Sequence, residues 1–232
     1  MATHKPFGRG YKQYCAVARG LDVIGDRWTL LIVRDLLLGP KRYKDLLSGL
    51  PGIGTNLLAD RLRQLERLGL VERAVLPPPA GSSVYRLTQS GEELEPVLAA
   101  IGRWGARFLG LGAGEDVLVP TAYFLAMRHL FRREVAAGMT QTWELRIGDR
   151  VFEVRVDRDE CTTREGHAAN PDVVLIMDLE TLNALLVEGL SPEEALADNR
   201  VVVQGDPKAL DRFVGVFQFR REPPSDVQRS AV

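Results

Sequence analysis

Gly52-Ile-Gly-Thr-Asn-Leu-Leu-Ala-Asp-Arg-Leu-Arg-Gln-Leu-Glu66 decides how the first half of the chain is read. Leu58, Leu62 and Leu65 recur at i, i+4 and i+7, which lays them along one face of a helix over 57–68. Thr55 or Asn56 can cap its start, and Gly69 suits its C-terminal stop. Working outward, 43–48 reads as a short helix with Leu46 and Leu47 inward, joined by the turn Pro51-Gly-Ile-Gly54. Before it, Asp26 is the expected cap of a helix over 27–38, with Trp28, Leu31, Ile32 and Leu36 on its apolar face and Gly39-Pro40 as its stop. A further helix over 16–24 carries Val17, Leu21 and Ile24 at helical spacing. Downstream, 70–76 and 83–88 alternate as strands around the turn at 77–82. Ser90 with Glu93 reads as a capping box opening a long helix over 91–109, with Leu94, Val97, Leu98, Ile101, Trp104 and Phe108 on its inner face.

Three helices, a β-hairpin and a closing helix are the physical plan of a winged helix-turn-helix. A helix of that kind fits the DNA major groove, and the hairpin can reach the neighbouring minor groove or backbone. Lys41, Arg42, Tyr43 and Lys44 cluster where phosphates could be clamped. Thr55 and Asn56 stand at the N-terminus of the recognition helix, whose free N–H groups favour phosphate or base acceptors. Arg61 and Arg63 lie off the leucine face, and the wing offers Ser82, Ser83 and Arg86. Asp60 in the same helix repels phosphate unless it meets a cytosine amino group or pairs with a cation.

Charge divides along the chain. The 232 residues carry a formal net charge of −1, yet 1–110 hold sixteen Lys+Arg against ten Asp+Glu, and 111–232 hold fourteen against twenty-one. The halves thus stand at +6 and −7, and the basic one is the half suited to a polyanion. Gly110-Leu-Gly-Ala-Gly114 reads as the joint between them. Domains are expected at 1–110 and 115–222, with a disordered Pro-led tail at 223–232.

The second half reads as α+β. A helix over 121–137 is followed by strands at 141–147 and 151–156 around Gly148-Asp-Arg150, then a polar loop and a buried strand at 173–177. A helix over 178–188, a capping box at Ser191-Pro-Glu-Glu194, a strand at 201–204 and a last helix from Asp206-Pro207 complete it.

Two resemblances rest on these residues. Cys15-Ala-Val-Ala-Arg-Gly-Leu-Asp-Val-Ile-Gly-Asp-Arg-Trp-Thr-Leu-Leu-Ile-Val-Arg-Asp-Leu36, the Gly52–Glu66 block and Tyr85-Arg-Leu-Thr-Gln-Ser-Gly91 resemble HxlR-type regulators, a MarR-like winged helix branch. That resemblance covers about residues 12–109 and implies a homodimeric regulator on double-stranded operator DNA, with repression as the default. It further implies that the first and closing helices build the dimer interface, and it makes Cys15, with Lys12 nearby, a candidate redox or electrophile sensor, the alternative and favoured reading being a structural, half-buried cysteine. Pro171-Asp-Val-Val-Leu-Ile-Met-Asp-Leu-Glu-Thr-Leu, Gly189-Leu-Ser-Pro-Glu-Glu-Ala and Val201-Val-Val-Gln-Gly-Asp-Pro-Lys-Ala-Leu210 resemble the sterol carrier protein type of domain. This second resemblance implies a five-stranded sheet with helices around a tunnel for a small apolar or aromatic effector. Candidate walls are Phe124, Trp143, Phe152, Met177, Leu182, Leu185, Phe213 and Phe217, each equally able simply to fill a core.

Other classes have little support. His4, His129 and His167 stand in no catalytic spacing, and Cys15 and Cys161 form no CxxC pair, so neither enzyme, metal site nor cofactor is expected. Cys161 falls in what reads as a charged loop. Without an apolar run of membrane length or a signal-type N-terminus, the chain reads as cytoplasmic. The alternative is a lipid-carrier or enzymatic second half tethered to a DNA-binding arm.

Overall fold

A computed structural model describes residues 10–77, 81–110 and 113–219. The tail at 223–232, the turn at 78–80 and the centre of the glycine joint at 111–112 lie outside the described residues. The chain divides into two compact units between Leu98 and Ala99, inside a helix rather than at a glycine run.

The first unit contains α1 (Ala16–Ile24), α2 (Thr29–Leu36), α3 (Tyr43–Gly49), α4 (Thr55–Arg67), β1 (Val71–Val75), β2 (Ser83–Leu87) and α5 (Gln89–Glu92). α6 (Glu95–Gly105) follows, then a single 3₁₀ turn, Ala106–Phe108. Leu58, Leu62 and Leu65 of α4 are fully buried, packed with Ile32 and Leu36 of α2, Leu46 of α3 and Val71 and Leu87 of the hairpin. β1 and β2 pair antiparallel, with Ala74 opposite Val84. The segment entering α3 adds to that ladder: the Lys41 and Tyr85 amides each donate to the other's carbonyl oxygen, at 2.9 and 2.8 Å.

Three caps differ from the expected ones. Trp28, with φ at 79°, occupies the position before α2, so Asp26 does not cap it. Gly54 precedes α4 without a side-chain cap, and Thr55 and Asn56 fall inside its first turn. Thr88, not Ser90, caps α5: its hydroxyl accepts from the Gly91 amide and donates to the Gly69 carbonyl oxygen. The expected long closing helix is interrupted after Glu92 and resumes at Glu95.

The second unit contains α7 (Pro120–Leu130), α8 (Arg133–Ala136), β3 (Thr140–Ile147), β4 (Arg150–Asp157), β5 (Glu160–Glu165) and β6 (Val173–Met177). α9 (Leu179–Asn183), a π turn over Ala184–Glu188, α10 (Pro192–Ala197), β7 (Val202–Gln204) and α11 (Ala209–Phe217) complete it. The sheet has five strands in the order β5-β4-β3-β6-β7, with β3 and β6 parallel. The expected polar loop before β6 contains β5. Its side chains are Glu, Cys, Thr, Thr, Arg and Glu, so an edge strand of this polarity shows no apolar alternation. The expected helix over 121–137 breaks at Phe131, whose backbone is extended. Ser191 and Glu194 form their capping box as read.

Alternate residues of β3, β4 and β6 point inward: Trp143 and Leu145, Phe152 and Val154, Leu175 and Met177 are all buried. On the opposite face, Glu144 is buried as well. Burial pushes its carboxyl up, but hydrogen bonds from Arg146, the Ala168 amide and His167 outweigh that and hold it below the usual carboxylate range.

Gly91 cannot take a side chain where it stands. A Cβ there would lie 2.1 Å from the Leu70 carbonyl oxygen. Gly91→Ala should destabilise the first unit by about 1–3 kcal/mol, the usual range for overpacking, measured by calorimetric unfolding. Glu144 gives a second test. A depressed folded-state pKa stabilises the fold above the unfolded value and loses that stabilisation as pH falls below about 4.3. Resistance of the second unit to urea should therefore fall in acid, and Glu144→Gln should flatten that pH dependence.

Candidate nucleic-acid interface and apolar interior

With the leucines of α4 turned inward, Asn56, Asp60, Arg63 and Arg67 share its outward face, and all four are exposed. The side chains of Lys44 and Arg67 have no hydrogen-bond or ion-pair partner among the described residues, so their charge is free for an anion. Arg67 was not among the sequence candidates; the outward 3.6-residue spacing from Asn56, Asp60 and Arg63 is the signal that finds it.

The other candidates have mixed settings. Lys41 is buried at 6% exposure, because its backbone pairs with Tyr85 of the wing. Arg42 precedes α3, its amide donating to the Asp45 carboxylate at 3.1 Å. The Tyr43 hydroxyl donates to the Thr55 carbonyl oxygen at 2.6 Å, tying α3 to the start of α4. Arg61 turns away from the outer face. Its Nη1 reaches Asp26 at 2.9 Å and Gln64 at 2.7 Å, and Gln64 Nε2 donates to the same Asp26 oxygen at 3.0 Å. Asp26 thus staples the α1–α2 turn to the side of α4, a role that its expected capping function concealed.

On the wing, Ser83 is exposed and Ser82 half-buried. Arg86 donates to Glu72 across the hairpin at 2.7 Å, and Arg73 to Glu66 at 2.8 Å while lying over the Tyr85 ring. These exposed ion pairs contribute little to stability, and either guanidinium can exchange its carboxylate for a phosphate at small cost.

A second surface is apolar. Val97, Ile101, Trp104 and Phe108 stand exposed at helical spacing along α6 and the turn after it, with the Trp104 and Phe108 ring centroids 4.9 Å apart. Along α1, Val17 and Leu21 are exposed too, and Cys15 lies exposed at its N-cap.

In the second unit the eight candidate ligand residues form packed interior. Phe124, Trp143, Phe152, Met177, Leu182, Leu185, Phe213 and Phe217 are all buried. Phe124 of α7 stacks on Phe152 of β4 with ring centroids 3.8 Å apart, and Trp143 meets Phe213 and Phe217 edge-on at 5.9 and 5.8 Å. α7 is held by the Tyr123 hydroxyl donating to Asn183 at 2.8 Å, and by Arg128 donating to the Thr163 hydroxyl at 2.8 Å. A cavity of about 220 Å³ on this unit is lined by Leu130, Arg132, Glu134, Gln218 and Phe219, none of the eight. Cys161 lies in β5 rather than in a loop, and burial pushes its thiol up to about 12. No group of three or more His, Cys, Asp and Glu able to hold a metal occurs among the described residues. Nor is any described helix long and apolar enough to cross a membrane.

Against known proteins, residues 23–112 match the HxlR-like helix-turn-helix family and residues 131–218 match the SCP-2 sterol transfer family. An HTH-type transcriptional regulator of Synechocystis sp. is 38% identical over 95 residues, 41% of this chain and 70% of that protein. The HTH-type transcriptional regulator YodB of Bacillus subtilis is 38% identical over 87 residues, 38% of this chain and 78% of YodB. Among solved structures, the stereoselective inverting sec-alkylsulfatase Pisa1 from Pseudomonas sp. is matched at TM-score 0.42 and 21% identity. That match covers 47% of this chain and 17% of the sulfatase.

The two thiols should differ in the folded protein. With its thiol at about 12, Cys161 carries a thiolate fraction at pH 8 on the order of one in ten thousand. Brief iodoacetamide treatment should therefore alkylate Cys15 alone, with Cys161 following only after unfolding, as read by peptide mass spectrometry.

Proposed function

We propose, from the premise that this chain belongs to the HxlR-like helix-turn-helix family, that it is a homodimeric, DNA-binding transcription regulator, acting by default as a repressor in the cytoplasm. The observation that carries the reading is the outward face of α4, where Asn56, Arg63 and Arg67 stand exposed over a helix fixed from behind by three leucines. Thr55 and Asn56 lie in its first turn, where backbone N–H groups point at an acceptor. Arg42, Lys44 and the wing residues Ser82, Ser83 and Arg86 extend the same interface toward phosphates. Lys41 and Arg61 support it from inside: one is buried, the other is held by Asp26.

The exposed stripe of α6 and the apolar side of α1 suit a two-fold partner. A surface carrying Trp104 at 59% exposure together with Phe108 and Ile101 is costly to leave in water. A two-fold dimer presents its recognition helices to half-sites about 34–36 Å apart.

The second unit enters this proposal as a module for a small apolar molecule, on its likeness to the SCP-2 sterol transfer family. Its candidate residues are all buried, and a ligand entering between Phe124 and Phe152 has to part their stacked rings. An effector acts on DNA affinity only through a difference in its own affinity for the two dimer geometries.

Two measurements test the reading. On a labelled duplex from upstream of the protein's own coding sequence, Arg67→Ala and Lys44→Ala should each weaken binding and reduce the log-affinity against log-salt slope by about 1. Wild-type affinity indifferent to sequence would contradict it. Ile101→Asp should convert the dimer to a monomer in size-exclusion light scattering and abolish tight operator binding.

A further inference from the structure

A recognition surface for a polyanion has little use for a carboxylate, yet Asp60 stands on the outward face of α4. Its side chain is 61% exposed and that of Arg63 is 60% exposed. The two are neighbours at i,i+3, and Asp60 Oδ1 accepts from Arg63 Nη2. Arg63 Nε also turns back toward the Ala59 carbonyl oxygen at 3.4 Å. Both ties fix the plane of the guanidinium on the exposed face. They leave the two Nη1 hydrogens and the second Nη2 hydrogen to donate, and Asp60 Oδ2 to accept. An exposed pair of this spacing adds little to helix stability, so the fold does not need it. Arg61 is committed to Asp26 and Gln64, and Arg67 stands a full turn beyond Arg63.

We propose that Asp60 and Arg63 are the specificity-determining pair of this helix, reading a guanine and a cytosine on adjacent base pairs. The inference rests on the DNA-binding reading above. Arg63, held in plane, donates to O6 and N7 of the guanine, and Asp60 accepts from the N4 amino group of the cytosine. Three residues of helix rise about 4.5 Å, close to the 3.4 Å or so of one base step, so the pair spans neighbouring bases. The carboxylate also selects by rejection, since guanine O6 and thymine O4 present acceptors to it and nearby phosphates repel it on any unmatched sequence.

Selection of bound duplexes from a random library tests this with the full chain, comparing wild type, Asp60→Ala, Asp60→Asn and Arg63→Lys. Wild type should enrich a half-site containing the adjacent guanine and cytosine. Asp60→Ala should flatten the cytosine position most, by roughly five- to a hundred-fold in preference, and the guanine position less, because Arg63 keeps its tie to the Ala59 carbonyl oxygen, while tightening binding to unrelated duplex. Asp60→Asn should move that one position toward adenine, whose N6 and N7 suit an amide. Arg63→Lys should flatten the guanine position and keep the salt dependence, because an ammonium retains the charge but not the planar fork. Both side chains are exposed, so melting temperatures should match wild type. Base preferences unchanged in the Asp60 variants, or altered equally at every position, would overturn the pair's role. A wild-type protein that enriches no motif would overturn the DNA-binding reading itself.

Discussion

Burial of Leu58, Leu62 and Leu65 is the constraint on which the first unit depends. Fully burying a leucine contributes on the order of 1.5–3 kcal/mol, and these three lie against Ile32, Leu36, Leu46 and the hairpin. Exposed ion pairs such as Asp60–Arg63 contribute at most about 1 kcal/mol each. The apolar term therefore fixes the rotation of α4 about its own axis. Polar residues facing solvent do so because the leucines cannot, and the chemistry of the outward face is a by-product of the packing behind it.

Electrostatics then sorts the arginines. A chain with sixteen Lys+Arg in its first 110 residues offers many cations on paper, but Arg61, Arg73 and Arg86 each hold a carboxylate of the fold. Lys44 and Arg67 hold none, and Arg63 is tied to a neighbour as exposed as itself. The interface is thus narrower than the local charge excess suggests. Asp26 gains weight in the same way: its carboxylate braces the flank of α4 through Arg61 and Gln64, leaving the start of α2 to Trp28 in a left-handed backbone.

The second unit is organised by aromatic contact rather than charge. Inward-facing residues of β3 and β4 meet α7 and α11 through the Phe124–Phe152 stack and the Trp143–Phe213–Phe217 cluster. Its polar ties, Tyr123 to Asn183 and Arg128 to Thr163, hold α7 over that interior at both ends. Any ligand among these residues competes with contacts the fold already makes.

Periodicity and turn chemistry carried the element order, because leucine spacing, glycine stops and strand alternation are local properties of the chain. α1 is found at Ala16–Ile24 as read, and α4 lies within three residues of its expected bounds. The eight apolar residues of the second half were legible as interior for the same reason. Partners across space were not legible. Asp26 reads locally as a cap, Cys161 as a loop residue and Lys41 as one cation among three. The settings of Asp26 and Lys41 depend on Arg61 and Tyr85, which lie far along the chain, and that of Cys161 on pairing with β4 in a hairpin whose polar side chains give no apolar alternation. Sequence alone determined which residues seek the interior, since hydrophobic spacing acts within one element. Only the tertiary structure decided which charges remain free, since a carboxylate in reach of an arginine is a fact of distance, not of order.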